Sequence, residues 1–403
     1  MTGAVLDAVT SLEDFRVDVR RWCVEHVPKD WAARQTGIGH DEFLTFQRSW
    51  FQELRTGGYA TPHWPLEHGG GYSLGEQMVI FEELARARAP RLVLQFVSIH
   101  HAASTLLEAG NLAQKKHLDS ILNGEVWCQG FSEPNAGSDL ASVQTRALRD
   151  RDHYVVNGQK VWASLAMYAD YCLLLARTDT DVPKRKGLSY FLMDMRSPGV
   201  EVRPIRQATG DAHFAEIFLT DVRIPAANMV GAENDGWRVA QSTLGSERGL
   251  TIVELGERLA VGFEWLVELA ASSRLSTGEV ALNASDVREQ LATLATELRV
   301  LRRFGRRLVE NIEVREAPGP EASVMKLFYS ELLQRVMRLG VQIGGLEVQR
   351  TLEKPMSAGW ESGAWMLDFI GSFEWTIPGG TSEIQRTIIG ERMLGLPRDP
   401  GMS

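Results

Sequence analysis

The sequence predicts a multidomain α+β protein in which an N-terminal helical domain and a C-terminal helical bundle flank a middle β domain. Three observations predict it. Apolar residues recur at helical spacing before residue 125, short β-prone runs fill residues 126–235, and long helical patterns return after residue 236. We therefore place the domains at 1–125, 126–235 and 236–403. With 403 residues and 44% hydrophobic content, the chain is long enough to bury a substantial core.

Two helices are predicted in the N-terminal domain. The segment HDEFLTFQRSWFQELRTGG ends at Gly57-Gly58, and the loop PHWPLEHGGGYS follows it. The second helix begins at Ser73, because Ser73 and Glu76 have the spacing of a capping box ahead of EQMVIFEELARARA. The apolar face of the first helix is predicted to contain Phe43, Phe46, Trp50, Phe51 and Leu54.

The spacing of apolar residues differs between the middle and C-terminal domains. HYVVNGQKVWAS predicts a hairpin that turns at Asn157-Gly158, and the runs YCLLLA, LSYFLMDM, VEVRPI and HFAEIFLTDVRIP predict further strands. After residue 236 the pattern is helical and favours an antiparallel bundle. Its core is predicted to include Val287, Leu291, Leu294, Leu298, Leu301 and Leu308.

Composition and the placement of the cysteines and histidines exclude several functions. A formal net charge of −9 argues against nucleic-acid binding, which needs an excess of Lys and Arg. The chain starts without a basic region leading into an apolar run, and no window approaches the roughly 20 apolar residues that span a bilayer, so we expect a cytoplasmic protein. Three scattered cysteines predict reduced thiols, with Cys128 a packed one. Adjacent His100 and His101 cannot share a helix face, so we expect no metal site.

The segment WCQGFSEPNAGSDLAS, residues 127–142, is the most informative stretch of the chain. Gly137 would let the backbone approach a ligand, and the hydroxyls of Ser132 and Ser138 with nearby amides could hold a phosphate without Lys or Arg. Trp162, in NGQKVWAS, could lie against a planar ring. Taken alone, these residues equally suit an ordinary surface loop and a core tryptophan.

Four motifs in order resemble the acyl-CoA dehydrogenase family: WCQGFSEPNAGSD, NGQKVWAS, DVRIPAANMVG at 221–231 and GGTSEIQR near the C-terminus. The resemblance covers nearly the whole chain and implies the cofactor FAD and an acyl-CoA substrate. It also implies which residues contact FAD and its ribityl-pyrophosphate. These are Phe131, Ser132, Gly137, Ser138, Trp162 and Ser164, with Thr381 and Glu383 on the last helix.

The family needs a carboxylate base, which removes the α-proton of the thioester while the β-hydrogen leaves as hydride to flavin N5. Most members place it directly before the Gly-Thr of the closing motif, where this chain has Gly379. A minority carries a glutamate directly before an arginine on the first long helix of the C-terminal domain. That pair is Glu247-Arg248 here, so the resemblance implies Glu247 as base and Arg248 as a substrate contact.

Other interpretations of these residues stay open at this point. Glu247 also suits a solvated glutamate near a helix start, and Arg248 suits a surface ion pair. Glu361 and Asp368 are weaker candidates for the base, since they match no family position.

Two motifs depart from those of homotetrameric family members. The Arg-x-x-Phe-Gly motif has Thr277 in place of the aromatic residue, and the glutamine of the Gln-x-x-Gly-Gly motif, Gln342, is one place late. The pattern resembles actinobacterial α2β2 acyl-CoA dehydrogenases, in which two unlike subunits share each active site and many act on CoA thioesters of sterol side chains. We therefore expect a homologous, non-identical partner and an electron-transfer flavoprotein as acceptor. The alternatives are a non-catalytic scaffold subunit and an acyl-CoA oxidase.

Overall fold

The structure, a computed structural model, describes residues 3–246, 251–315 and 319–398. The chain forms two compact units: unit 1 joins residues 1–91 to 248–403, and unit 2 comprises 92–247. The helices are α1 (Gly3–His26), α2 (Trp31–Arg34), α3 (His40–Thr56), α4 (Leu74–Arg86), α5 (Ala103–Ala109), α6 (His117–Leu122), α7 (Gly236–Ser246), α8 (Thr251–Ser272), α9 (Ser285–Arg315), α10 (Glu321–Val348), α11 (Trp365–Ser372) and α12 (Ser382–Ile388).

The strands all lie in unit 2 and confirm the α+β class. They are β1 (Trp127–Gly130), β2 (Arg146–Asp150), β3 (His153–Ser164), β4 (Tyr171–Arg177), β5 (Leu188–Asp194), β6 (Val200–Ile205), β7 (Phe214–Pro225) and β8 (Met229–Val230). They form one sheet in the order β6-β7-β3-β2-β4-β5-β8, with β1 parallel to β4. The predicted domain boundaries at 125 and 235 stay a prediction.

Unit 1 is built around the packing of α8, α9 and α10. The leucine-rich face of α9 that the sequence predicts is buried along its length, from Val287 to Leu308. At the N-terminal end of the unit, α4 begins as predicted: the Ser73 hydroxyl accepts a bond from the Glu76 amide, and the Glu76 carboxylate accepts one from the Ser73 amide. Within the described part of the chain, no helix is long and apolar enough to cross a membrane.

The hairpin prediction at Asn157-Gly158 is wrong. Strand β3 runs through both residues, and the turn from β2 lies at Arg151 and Asp152. The dipeptide forms a bulge against β7 instead, where the Asn157 side chain exchanges hydrogen bonds with Asp221. Gly158 has φ +155° and lies over Thr145. The conformational freedom of glycine therefore serves the close approach of β3 to the residue just before β2.

We expect Gly158→Ala to lower the free energy of unfolding by about 1–3 kcal/mol, the usual scale for overpacking. A β-carbon there would lie 2.5 Å from the Thr145 hydroxyl oxygen and 2.7 Å from its Cα, and the positive φ adds strain. Chemical denaturation measures the change. Gly256→Ala on α8 is the control, because its β-carbon would meet only ordinary contacts with Leu301 at 3.5 Å or more. Equal stability of both variants would contradict the account.

Candidate functional site

The loop after β1 holds the first group of predicted FAD contacts. Phe131 is buried with its ring edge against Tyr190, and the Ser132 carbonyl accepts a hydrogen bond of 2.9 Å from the Val161 amide on β3. The tip of the loop is exposed at Gly137 and Ser138, and a β-carbon built on Gly137 meets no atom within 4 Å. The loop is therefore anchored at its start and open at its tip.

Trp162 and Ser164 lie on β3 beside that loop. A second bulge between Lys160 and Ala163 interrupts the pairing with β7, and Trp162 within it has φ +61°. Its side chain is 59% exposed, with the ring edge against Phe214. Positive φ is rare for a bulky residue, and such outliers cluster at functional sites. An exposed indole next to an open, glycine-containing loop fits a planar ring carrying a pyrophosphate, so these residues suit FAD.

A buried ion pair that the sequence interpretation missed joins the loop to β3. The Lys160 ammonium donates to the Phe131 carbonyl at 3.0 Å and to the Glu133 carboxylate at 2.8 Å. Burial alone would raise the pKa of Glu133, but the Lys160 charge and the Thr145 and Gln144 hydrogen bonds hold it below its usual value. The sequence offered one signal: Lys160 is an even number of residues from Tyr154 and Val156, so it falls on the strand face that carries these apolar side chains.

Thr381 and Glu383 lie in unit 1 at the start of α12. Thr381 is the N-cap, with its hydroxyl accepting from the Ile384 amide. Glu383 is exposed, and hydrogen bonds from its own backbone amide and from Thr381 lower its pKa. Just before them, Gly379 and Gly380 adopt φ +64° and +98°, and their carbonyls accept from Gln385. The closing motif therefore forms a tight turn at Gly379 and Gly380, followed by a short helix that Thr381 caps.

The predicted base and substrate contact, Glu247 and Arg248, lie outside the described residues. Helix α7 leads towards them and ends at Ser246, and α8 begins at Thr251. Their assignment stays a prediction.

The two weaker candidates for the base are both buried in unit 1. Glu361 lines a cavity of about 60 Å³ together with Trp31, Arg258 and Trp265. Asp368 accepts hydrogen bonds from both the amide and the hydroxyl of Ser362, at 2.7 and 2.8 Å. These bonds join Asp368, on α11, to Ser362 in the segment before that helix, so the Asp368 side chain has a structural role.

Asp368 should make the stability of the protein depend on pH. Burial raises its pKa to about 7, from an ordinary value of 3.8. The folded state then binds more protons than the unfolded state between roughly pH 4 and 7, so the free energy of unfolding falls as pH rises through that window, by up to about 4 kcal/mol.

Denaturation at several pH values tests this expectation. Asp368→Asn should remove this part of the pH dependence, whereas Glu289→Gln, at an exposed carboxylate of α9, should leave it unchanged. Parallel pH profiles for Asp368→Asn and the wild type would contradict the expectation.

The cysteines and the possible metal ligands show no sign of a second reactive site among the described residues. Cys23, Cys128 and Cys172 are buried free thiols, and burial raises the pKa of Cys128, which confirms it as a packed thiol. Among the residues that the structure describes, no group of three or more His, Cys, Asp and Glu side chains could hold a metal ion.

The two altered motifs of unit 1 are solvent-facing. Arg274 donates to the Gly278 carbonyl across a tight turn, and Thr277 is exposed on it. Gln342 is exposed on α10.

Comparison with known proteins places the chain in a family. Its sequence matches models of the acyl-CoA dehydrogenase N-terminal domain at residues 10–125, the middle domain at 128–222 and the C-terminal domain at 234–394. It is 39% identical to "Acyl-CoA dehydrogenase IpdE1" of Mycolicibacterium smegmatis over 406 residues, which cover 96% of this chain and 98% of that protein.

Similar solved structures extend the match to the fold. One is titled "Tcur3481-Tcur3483 steroid ACAD", with a TM-score of 0.82, 30% identity and coverage of 97% and 98% of the two chains. Another is the ChsE4-ChsE5 complex from Mycobacterium tuberculosis, with a TM-score of 0.78, 29% identity and coverage of 96% and 98%. The chain belongs to the acyl-CoA dehydrogenase family, whose members are FAD-dependent oxidoreductases acting on acyl-CoA thioesters.

Proposed function

We propose that the chain binds FAD at the loop 131–145 and Trp162, and converts an acyl-CoA thioester to the trans-2-enoyl-CoA with Glu247 as base. The observation that carries the FAD site is Trp162, whose indole is exposed at a bulge beside an open loop. Phe131, Ser132 and Ser164 would border the ring system, and the open tip at Gly137 and Ser138 would face the pyrophosphate. Thr381 and Glu383 are further proposed contacts.

Glu247 would act as the general base. An α-proton next to a thioester is a weak acid, so the carboxylate must be positioned at it and shielded from water, which raises its proton affinity on substrate binding. Arg248, the next residue, would hold the substrate or its CoA portion. FAD held by these residues would supply the hydride acceptor for the β-hydrogen of the substrate. With Gly379 in the usual position of the base, the turn before α12 supplies no competing carboxylate.

The substrate and the partner follow from the relatives. A structure titled as a steroid ACAD supports a steroid side-chain CoA thioester as the substrate class. Two similar structures carry the names of two different chains, which supports a non-identical partner subunit. Within the described ranges, seven exposed large apolar side chains also fall between residues 346 and 396, and we propose that a partner subunit covers some of them. They are Leu346, Leu352, Phe373, Ile377, Met393, Leu394 and Leu396.

Anaerobic mixing with acyl-CoA thioesters tests the reaction. Addition of the correct thioester should bleach the flavin absorbance of the assembly and yield a 2-enoyl thioester, and an electron-transfer flavoprotein should reoxidise it. A panel from butyryl-CoA to steroid-CoA thioesters would identify the acyl group. No bleaching by any member of a broad panel, with FAD bound, would contradict the proposal.

Two other functions have distinct signatures. An oxidase would form stoichiometric peroxide in air without an added acceptor. A scaffold subunit would leave the complex active after Glu247→Gln.

A further inference from the structure

The loop 131–145 is held to β3 by charges that lie entirely inside unit 2. Lys160 is fully buried and Glu133 is 9% exposed. One carboxylate oxygen of Glu133 accepts from Lys160 and from the Thr145 amide, both at 2.8 Å, and the other accepts from the Gln144 amide at 2.6 Å. Both oxygens accept N–H donors, so the side chain is a carboxylate facing an ammonium.

The ion pair touches both ends of the loop. Lys160 donates to the carbonyl of Phe131, where the loop starts, and Glu133 accepts from the amides of Gln144 and Thr145, where it ends. From outside, the Arg177 guanidinium donates to the carbonyls of Ala141 and Val143. The loop ends are therefore fixed to the sheet, whereas the tip is open.

The same lysine stands two residues before Trp162. Between them, Val161 donates to the Ser132 carbonyl, and the bulge begins directly after Lys160. Any movement of Lys160 relative to Glu133 would therefore change the distance between the loop and the indole. Replacing a buried ion pair with apolar side chains often costs a protein little stability, so core packing alone gives weak reason to keep one.

We propose that Lys160 and Glu133 are positioning residues that hold the loop 131–145 and Trp162 at the separation required for FAD. They act through the backbone of Phe131, Gln144 and Thr145 and touch neither the cofactor nor the substrate. A pre-formed site does not lose binding energy to ordering the loop when FAD enters. The inference rests on the FAD site proposed above.

The test uses the FAD-containing assembly and two variants, Glu133→Gln and Lys160→Met. Gln keeps the shape of Glu133 but cannot accept N–H donors at both ends, and Met keeps the length of Lys160 without its charge. We expect each variant to weaken FAD binding at least tenfold, about 1.4 kcal/mol, and to alter the visible absorption and circular dichroism of the flavin that remains bound. Both readouts report the geometry of the site rather than overall stability.

A matched control breaks a partly buried pair of unit 1. In Glu257→Gln, Arg302 loses a carboxylate partner at 2.6 Å, so the melting temperature should fall while FAD affinity and the flavin spectrum stay unchanged. Wild-type FAD affinity and spectra in both loop variants, with only a lower melting temperature, would overturn the proposal. A wild-type assembly that binds no FAD would instead refute the proposed function.

Hydrogen exchange on the wild type tests the same inference without a substitution. If the pair organises the loop in advance, the Gln144 and Thr145 amides are protected in the FAD-free protein as well as in the loaded one. Rapid exchange of both amides until FAD is added would overturn the inference, even if neither variant folds.

Discussion

Glu247→Gln is expected to slow the reduction of bound flavin by acyl-CoA by about 10² or more, the usual scale for the loss of a general base. Glutamine keeps the size and most of the hydrogen bonding of glutamate but cannot take the α-proton. FAD content and folding should persist, because Glu247 is proposed to act on the substrate rather than on the cofactor. Anaerobic stopped-flow absorbance measures the rate, and flavin content and melting temperature serve as internal controls.

Glu361→Gln is the matched control variant, because it neutralises a carboxylate that is buried in unit 1 and has no counterpart at a family base position. It should keep flavin reduction within a few-fold of the wild type. The assignment of Glu247 is wrong if its glutamine variant reduces flavin at the wild-type rate. If Glu361→Gln alone abolishes the reaction, the base is Glu361.

Moving the carboxylate back to the usual family position is a sharper experiment. Gly379→Glu in the Glu247→Gln background should restore part of the rate of flavin reduction if both side chains reach the α-carbon of the acyl-CoA thioester. The φ of +64° at Gly379 imposes strain of about 1–2 kcal/mol on a residue with a side chain, so the melting temperature of the double variant must be measured beside its rate. Rescue would support the assignment of Glu247 as the base.

The second large effect concerns assembly: this chain expressed alone is expected to be poorly soluble or depleted in flavin, and co-expression with a homologous, non-identical subunit should restore both. Thr277 and Gln342 replace or displace groups that a neighbouring chain supplies to FAD in homotetrameric members. A second copy of this chain would therefore leave part of each cofactor without stacking and hydrogen-bonding partners. Because cofactor binding stabilises the folded state by mass action, weak FAD binding also lowers stability.

Native mass spectrometry and flavin absorbance measure the composition. We expect an α2β2 assembly with two FAD per four chains. Thr277→Phe tests whether the missing aromatic residue is the cause, and Thr277 is suitable for the substitution because it is exposed on its turn. That variant should raise the flavin content of the chain expressed alone, whereas Ser276→Phe, on the same turn, should not. A stable, active tetramer of the unmodified chain with four FAD would refute the heteromer.

The sequence by itself determined the elements that rest on local periodicity. The leucines of α9 recur at helical spacing and are buried as a face, and the Ser73–Glu76 capping box starts α4 where the spacing requires. Four motifs together identified the family, because their order along the chain and their composition are specific. Local spacing and chemistry carry all of this information, so no knowledge of distant contacts was needed.

Only the tertiary structure decided how several polar residues are used. Asn157-Gly158 has the composition of a hairpin turn, but it forms a bulge in which Asn157 bonds to Asp221 of β7 and Gly158 lies against Thr145, the residue before β2. On α3, Phe46 is only half-buried, whereas Gln47 is fully buried and bonds to the Ser357 hydroxyl, 310 positions away along the chain. A buried polar group is stable only where a partner satisfies it. That partner comes from residues far apart in sequence, so the local pattern around Gln47 or Lys160 does not reveal it.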